Sequence, residues 1–272
     1  MMDNIKLFVI SNSTIPKMMG ADHYLLQTGS IGKSSILNGC LRDDTGDNIS
    51  ERNPKYAELT GVYWIWKNQS APYLGILQYK RRFGKEYGIR FDKRKLVFGY
   101  HILNSKDMMR YFERYDAIVS EEILKEQTVD QQFRTSGFSY RGEYPGIVLD
   151  ATEKVLERYF PQYLEDFKAA MQSNILNPHN MMVVRQQIFH SYCEFLFPIL
   201  EKLDEYIPVG YYDEHYNRMY GWLAERLFGV FLRNSNISYI AFPVIDIEHT
   251  TLTPIGRFRD LVQKVLRRIR MK

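Results

Sequence analysis

"YLGILQYKRRFG", residues Tyr73 to Gly84, is the stretch on which the fold turns. Tyr73 to Tyr79 form a short apolar run of strand length. It leads without a break into Lys80, Arg81 and Arg82. Ordinary surface charge needs no buried strand leading up to it, so the pattern asks what anion three cations at a strand end would hold.

Working outward, the same kind of strand recurs between helices. Upstream, "IKLFVIS" (Ile5 to Ser11) reads as a first buried strand ending in the polar "SNST". "DDTGDNIS" (Asp43 to Ser50) is a turn, and Asn53-Pro54 suits a helix start. "PKYAELTGVYWIWKN" then places Tyr56, Leu59, Val62, Tyr63 and Trp66 close to helical spacing. Downstream, "YDAIVS" (Tyr115 to Ser120) and "NMMVVR" (Asn180 to Arg185) read as strands, and "SYIAFPVIDIE" as a closing one. Helices are predicted for Ala151 to Met171, broken at Pro161, for Gln186 to Tyr206 and for Tyr216 to Asn234. This alternation predicts an α/β fold with a largely parallel sheet. No repeat or linker interrupts residues 1–254, which are read as one domain, with 255–272 as a separate tail.

Composition narrows the function. Cys40 and Cys193 stand alone, without the spacing of a zinc site or a disulfide framework, which fits a reducing, cytoplasmic setting. No basic-then-apolar leader and no apolar run near membrane-spanning length is seen. The net charge of +4 resides in the tail: "RFRDLVQKVLRRIRMK" (Arg257 to Lys272) carries a local +6, leaving −2 on the rest. Nucleic acid is therefore not an expected partner. In the tail Phe258, Leu261, Val262, Val265, Leu266 and Ile269 recur at helical spacing among Arg and Lys. That pattern predicts a basic amphipathic helix on an anionic membrane surface, and thus peripheral attachment to the inner face of the cell membrane. Packing of this helix on the protein itself or on a partner is the other reading. "QTGSIGKSSI" (Gln27 to Ile36) lacks the spacing of a phosphate-binding P-loop.

The specific signal lies in "GDNISERNPKYAELTGVYWIWKN" followed by "YLGILQYKRRF". These residues resemble a bacterial family of capsular and exopolysaccharide glycosyltransferases with a DNIS…ELT…YWxWKN…HYRRYF signature. Asp47, Asn48, Ile49, Ser50, Asn53, Tyr56, Glu58, Leu59, Thr60, Tyr63, Trp64, Trp66, Lys67 and Asn68 carry the first part. Gln78, Tyr79, Lys80, Arg81, Arg82 and Phe83 stand where the family has HYRRYF, with Gln in place of His and Lys in place of the first Arg. "NMMVVRQQIFHSYCEFLFPIL" and "RMYGWLAERLF" are similar to two further family segments. The resemblance implies a Rossmann-like type-A glycosyltransferase fold. It also implies an inverting enzyme using a nucleotide sugar, such as a UDP-hexose or UDP-galactofuranose, on a lipid-linked polysaccharide intermediate.

Each constellation then has a candidate role. Lys80, Arg81 and Arg82 are expected to bind the donor diphosphate, supplying charge that a divalent ion supplies elsewhere. Strand alternation predicts Lys80 and Arg82 facing the donor, with Arg81 paired to a carboxylate behind. Gln78, Tyr79, Asn48, Trp66 and Asn180 complete the donor-binding set, with Tyr63, Trp64, Trp66 and Tyr79 as possible stacking rings. Asp43, Asp44 and Asp47 are rival ligands for Mn²⁺ or Mg²⁺, although Asp47 and Ser50 equally suit a helix cap. Glu225 is the leading general base, since partial burial would raise its pKa. Glu58 and Asp116 are weaker choices, Glu58 being expected to pair with the basic strand end. His179 is read as structural. A non-catalytic nucleotide-sugar or glycan-binding module is the alternative function, and donor hydrolysis a third.

Overall fold

The computed structural model describes residues 4–92, 95–135, 146–207 and 218–248; the basic tail and its predicted helix lie outside them. In chain order the elements are β1 (Ile5–Ser11), β2 (His23–Gln27), β3 (Leu41–Arg42), α1 (Asn53–Tyr56), α2 (Leu59–Asn68) and β4 (Tyr73–Gln78). The hairpin β5 (Arg81–Asp92) and β6 (Lys95–Ile102) follows, then α3 (Ser105–Tyr111), β7 (Ala117–Ser120), β8 (Ile123–Leu124) and α4 (Val129–Thr135). The remainder is α5 (Gly146–Tyr159), α6 (Leu164–Gln172), β9 (Ile175–Leu176), β10 (Met182–Arg185), α7 (Gln186–Leu203), α8 (Met219–Asn234), β11 (Tyr239–Phe242) and β12 (Val244–Asp246).

Seven strands form the central sheet in the order β11-β7-β10-β4-β1-β2-β3. Every neighbouring pair is parallel except the two made by β10, which runs against both β4 and β7. The predicted α/β architecture with a largely parallel sheet is the one observed.

The sheet is covered on both faces, which explains its unbroken apolar runs. Phe8, Ile10, Leu74, Ile76, Ala117, Val119, Met182 and Val184 point to one side, into a core shared with α2 and α5 to α8. Their alternates Leu7, Val9, Leu77, Ile118 and Val183 pack on the other side against Phe83, Leu103, Met108 and Phe112. Strands pack closely at Gly75, where a Cβ would lie 2.5 Å from Leu7 Cδ2 and 3.1 Å from Val183 Cγ2.

Three local readings are refined. The helix predicted from Pro54 breaks at Ala57, whose φ of 51° separates α1 from α2. Pro161 breaks the next one as expected, with a 3₁₀ turn between α5 and α6. The predicted closing strand divides: β11 joins the central sheet, whereas β12 pairs with β5.

The acidic turn is structural. Asp43 is fully buried and accepts from Gly29 N (2.8 Å), Ser30 N (2.9 Å), Ser50 Oγ (2.7 Å) and Thr60 Oγ1 (2.6 Å). Asp44 pairs with Arg42, and Asp47 accepts from Tyr63 Oη at 3.2 Å. Neither Asp47 nor Ser50 caps a helix, because Ser50 donates its hydroxyl to Asp43 instead. Among the described residues no cluster of three His, Cys, Asp or Glu is arranged to hold a metal ion.

Candidate active site

Where the parallel strands end, a cavity of about 720 Å³ opens. Its floor is the carboxyl edge of the sheet, the position at which open α/β folds bind ligands. Ile10 and Ser11 close β1, Thr28 follows β2, and Gln78 closes β4; all line the cavity. Because β10 runs the opposite way, the residues just before it reach the same edge, and His179 joins the wall. Asn12, Ser13 and Thr14 supply the polar lip that "SNST" announces.

The cationic motif is split by the backbone. Gln78 ends β4, Tyr79 and Lys80 make a turn, and Arg81 begins β5. Gln78, Tyr79, Lys80 and Arg81 all line the cavity. The continuous-strand alternation expected from sequence does not hold: Lys80 and Arg81 share the cavity, and Arg82 is excluded from it. Arg82 is only 1% exposed, and its guanidinium is bound by the carbonyls of Gln78 (2.8 Å), Arg81 (2.7 Å) and Met18. Burial lowers its pKa to about 10. It braces the turn that presents its neighbours.

Helix α8 and the residue before it supply the opposite wall. Arg218, Trp222 and Glu225, spaced four and three apart, line the cavity together. The Glu225 carboxylate accepts the His179 N–H on Oε1 (3.0 Å) and Arg226 Nη1 on Oε2 (3.1 Å). Its side chain retains 19% exposure, enough to face the cavity. Burial raises its pKa, the Arg226 charge opposes the rise, and nearby Glu58 adds to it. Such a carboxylate holds a proton more readily than an exposed one, which suits it to the work of a general base.

Glu58 lines the same cavity, but its partners differ from those expected. It accepts from Asn180 Nδ2 (3.0 Å) and lies 3.9 Å from Arg218, not against the basic turn. Asn180 is buried behind the wall, also donating to Gly221 O at 2.9 Å, and so positions Glu58 rather than lining the cavity. Asp116 is remote from the cavity, bound to Arg185 (3.1 Å) and Ser238 (2.7 Å). Two further predicted donor residues are not among the lining. Trp66 stacks on Phe197 of α7, ring centroids 5.7 Å apart. Asn48 bonds locally to Gly46 O and Ser50 N.

Backbone strain concentrates here. The described non-glycine residues with positive φ are Ala57 (51°), His179 (82°) and Asn180 (49°). Ala57 and His179 line the cavity, and Asn180 stands directly behind it. Such conformations cost about 1–3 kcal/mol each and cluster at functional sites. The His179 turn aims its N–H at Glu225 while its carbonyl accepts from Gln78 Nε2 (2.7 Å). His179, expected to be structural or exposed, lines the cavity instead, and Arg218 and Trp222 join it without any motif to mark them. The Pro178-His179-Asn180 run carries a turn signal, since Asn tolerates left-handed backbone.

Burial, reinforced by Arg81, Lys80 and Lys125, lowers the His179 pKa to about 4. A depressed folded-state pKa means that the unfolded chain binds the proton more readily. Stability from the neutral ring is therefore present above its ordinary value near 6.5 and is lost as pH falls toward 4. His179→Asn, which keeps a side chain suited to positive φ, is expected to flatten the fall in urea midpoint between pH 6.5 and 4. An unchanged slope would assign that fall to other groups, such as His23, whose pKa burial also lowers to about 4.

A family model described as a domain of unknown function, DUF4422, matches residues 6–236. Among solved structures, the apo structure of the WbbM bifunctional glycosyltransferase matches 90% of this chain with a TM-score of 0.76 and 24% identity. The chain spans 46% of that protein's length. No curated protein matches the sequence. The mixed α/β fold is thus one that a glycosyltransferase uses.

Proposed function

The chain belongs to the DUF4422 family, and on that premise we propose that it is an inverting glycosyltransferase acting from a nucleotide-diphosphate sugar. The acceptor in this reading is a lipid-linked surface-polysaccharide intermediate, and the donor a UDP-hexose or UDP-galactofuranose. One observation carries the reading: a half-buried carboxylate with a raised pKa, Glu225, shares a cavity at the strand ends with Lys80 and Arg81.

The chemistry follows from that opposition. Breaking the sugar–phosphate bond develops negative charge on the departing diphosphate, which fixed cations stabilise without reorganising. Lys80 and Arg81, held by the turn that Arg82 braces, supply it in this proposal. Glu225 removes the proton from the acceptor hydroxyl as that oxygen attacks the sugar from the opposite side. Arg81 already acts on Glu225, lowering its pKa against the effect of burial. A bound, negatively charged diphosphate would offset that influence and favour a more basic Glu225 when donor is present.

The test combines binding and turnover. Thermal shifts with a panel of nucleotide sugars, with and without Mn²⁺, report the base, the sugar and the metal requirement. Transfer to a lipid-pyrophosphate saccharide and hydrolysis of donor are then measured in parallel. Transfer in excess chelator supports cation stabilisation by the protein, and its complete loss would assign that role to a metal. Binding without either reaction would identify a glycan-assembly module. Lys80→Met and Arg81→Met are each expected to weaken nucleoside-diphosphate binding by about tenfold or more, the value of a charge-assisted contact. Binding of the uncharged nucleoside, measured by calorimetry, should be unaffected.

A further inference from the structure

His179 lines the cavity beside Lys80 and Arg81, and its backbone is fixed there from several sides. The N–H donates to Glu225 on α8 (3.0 Å), and the carbonyl accepts from Gln78 Nε2 at the end of β4 (2.7 Å). The oxygen of the same Gln78 amide accepts from Arg81 Nη1. One side chain thus links the His179 backbone to the Arg81 guanidinium. Ser120 Oγ, at the end of β7, donates to the preceding Pro178 carbonyl (2.6 Å). These ties hold His179 at a φ of 82°, with its imidazole in the same cavity as two cations.

An imidazole is an uncommon neighbour for such a pair. Burial opposes a proton on the ring most strongly, and Arg81, Lys80 and Lys125, which follows β8, each oppose it further. Tyr79, Arg218, Glu58 and Glu225 are the other titratable groups of the cavity wall. Glu225 is engaged by the His179 N–H and Arg226, and Glu58 by Asn180. Without an anion the ring is therefore neutral at ordinary pH. An anion set against Lys80 and Arg81 reverses the balance, because an opposite charge within about 4–6 Å favours the charged form. Lys80 and Arg81 carry their charge at all times, whereas the ring adds its own only when an anion is there to receive it.

We propose that His179 is a third ligand for the anion bound at this turn, taking up a proton as the anion arrives and donating a hydrogen bond to it. The proposal rests on the glycosyltransferase reading only in identifying that anion as a sugar-nucleotide diphosphate. The proton comes from solvent, and no covalent bond to His179 forms or breaks.

Sulfate and UDP-galactose are the probes, because neither titrates in the range where histidine does. The His179 ring is followed by NMR in the full chain. Its signals are identified by their loss in His179→Asn, or in His179→Gln should the first variant not fold. Without anion the midpoint is expected at about 4. Sulfate, compared with chloride at equal ionic strength, should raise it by about 1–3 pH units. Calorimetry in buffers of different ionisation heat should show proton uptake on binding by the wild-type protein, lost in His179→Asn. Arg81→Met should raise the midpoint without anion, since Arg81 opposes the proton, and blunt the response to sulfate. A midpoint that neither probe moves overturns the proposal. Proton uptake undiminished in His179→Asn overturns it too, and assigns the proton to Glu225 or Glu58. A response to sulfate with no binding of UDP-galactose supports the ligand role and counts against the nucleotide-sugar reading alone. UDP-galactose that raises the melting temperature while the ring stays unchanged sinks the ligand role and leaves that reading intact.

Discussion

Glu225→Gln is expected to lower sugar transfer by about 10²–10⁴-fold while leaving nucleotide-diphosphate binding intact, the range for loss of a general base. The amide keeps an oxygen to accept the His179 N–H, so the turn that carries His179 survives. What disappears is the negative charge, both as proton acceptor and as the partner of the half-buried Arg226. Some stability should therefore be lost too, and melting curves must show the variant folded under assay conditions. The wild-type rate should rise with pH as Glu225 loses its proton, with a midpoint above the usual carboxylate range because burial favours the neutral form. Glu58→Gln removes a like charge that raises this pKa, so the acidic limb should move to lower pH. If that limb stays in place, Glu225 is not the titrating base. A Glu225→Gln enzyme retaining nearly full turnover would remove it from the mechanism altogether.

Asp43→Ala should be the most damaging substitution for the fold. The carboxylate gathers four donors from three separate segments: the loop after β2, the 3₁₀ turn at Ser50 and the start of α2. Its removal leaves Gly29 N, Ser30 N and Ser50 Oγ buried without that acceptor, at about 1–3 kcal/mol for each unsatisfied group, while Thr60 Oγ1 keeps the Ala57 carbonyl at 3.2 Å. The sum approaches the whole stability of an ordinary domain. Soluble expression and urea midpoint report the effect. Asp44→Ala provides the contrast, because Asp44 only pairs with a partly exposed arginine and should cost about 1 kcal/mol or less. Equal, mild effects of the two substitutions would return the acidic turn to consideration as a ligand-binding element.

The sequence conveyed the sheet far better than the site. Apolar runs at Ile5–Ser11 and Tyr73–Gln78 were legible because both faces of those strands are buried, so hydrophobicity alone marks them. The strand at Met182–Arg185 was equally legible, but nothing local encodes its direction. The hairpin of β5 and β6 escaped notice because its charged residues, starting at Arg81, obscure any apolar signal. In the site, Lys80, Arg81, Gln78, Tyr79 and Glu225 were identified as candidates and do converge. Arg82 was misplaced because a two-residue turn inside the motif shifts the alternation. Trp66 and Asn48 were carried in by motif resemblance, yet their side chains serve packing and a loop. Arg218, Trp222 and His179 depended on the approach of α8 and on positive-φ backbone, neither of which a residue pattern declares.

The reversed strand β10 also has a consequence for biosynthesis. It sits between β4 and β7, and the contact of Gln78 with His179 spans 101 residues. During synthesis from the N-terminus, β4 must emerge and wait with one edge bare until that segment leaves the ribosome. Unpaired edges of this kind invite association with other chains. Ribosome-bound chains arrested before Asn180 should therefore be the ones that recruit holdase chaperones, and those extended beyond α7 should release them.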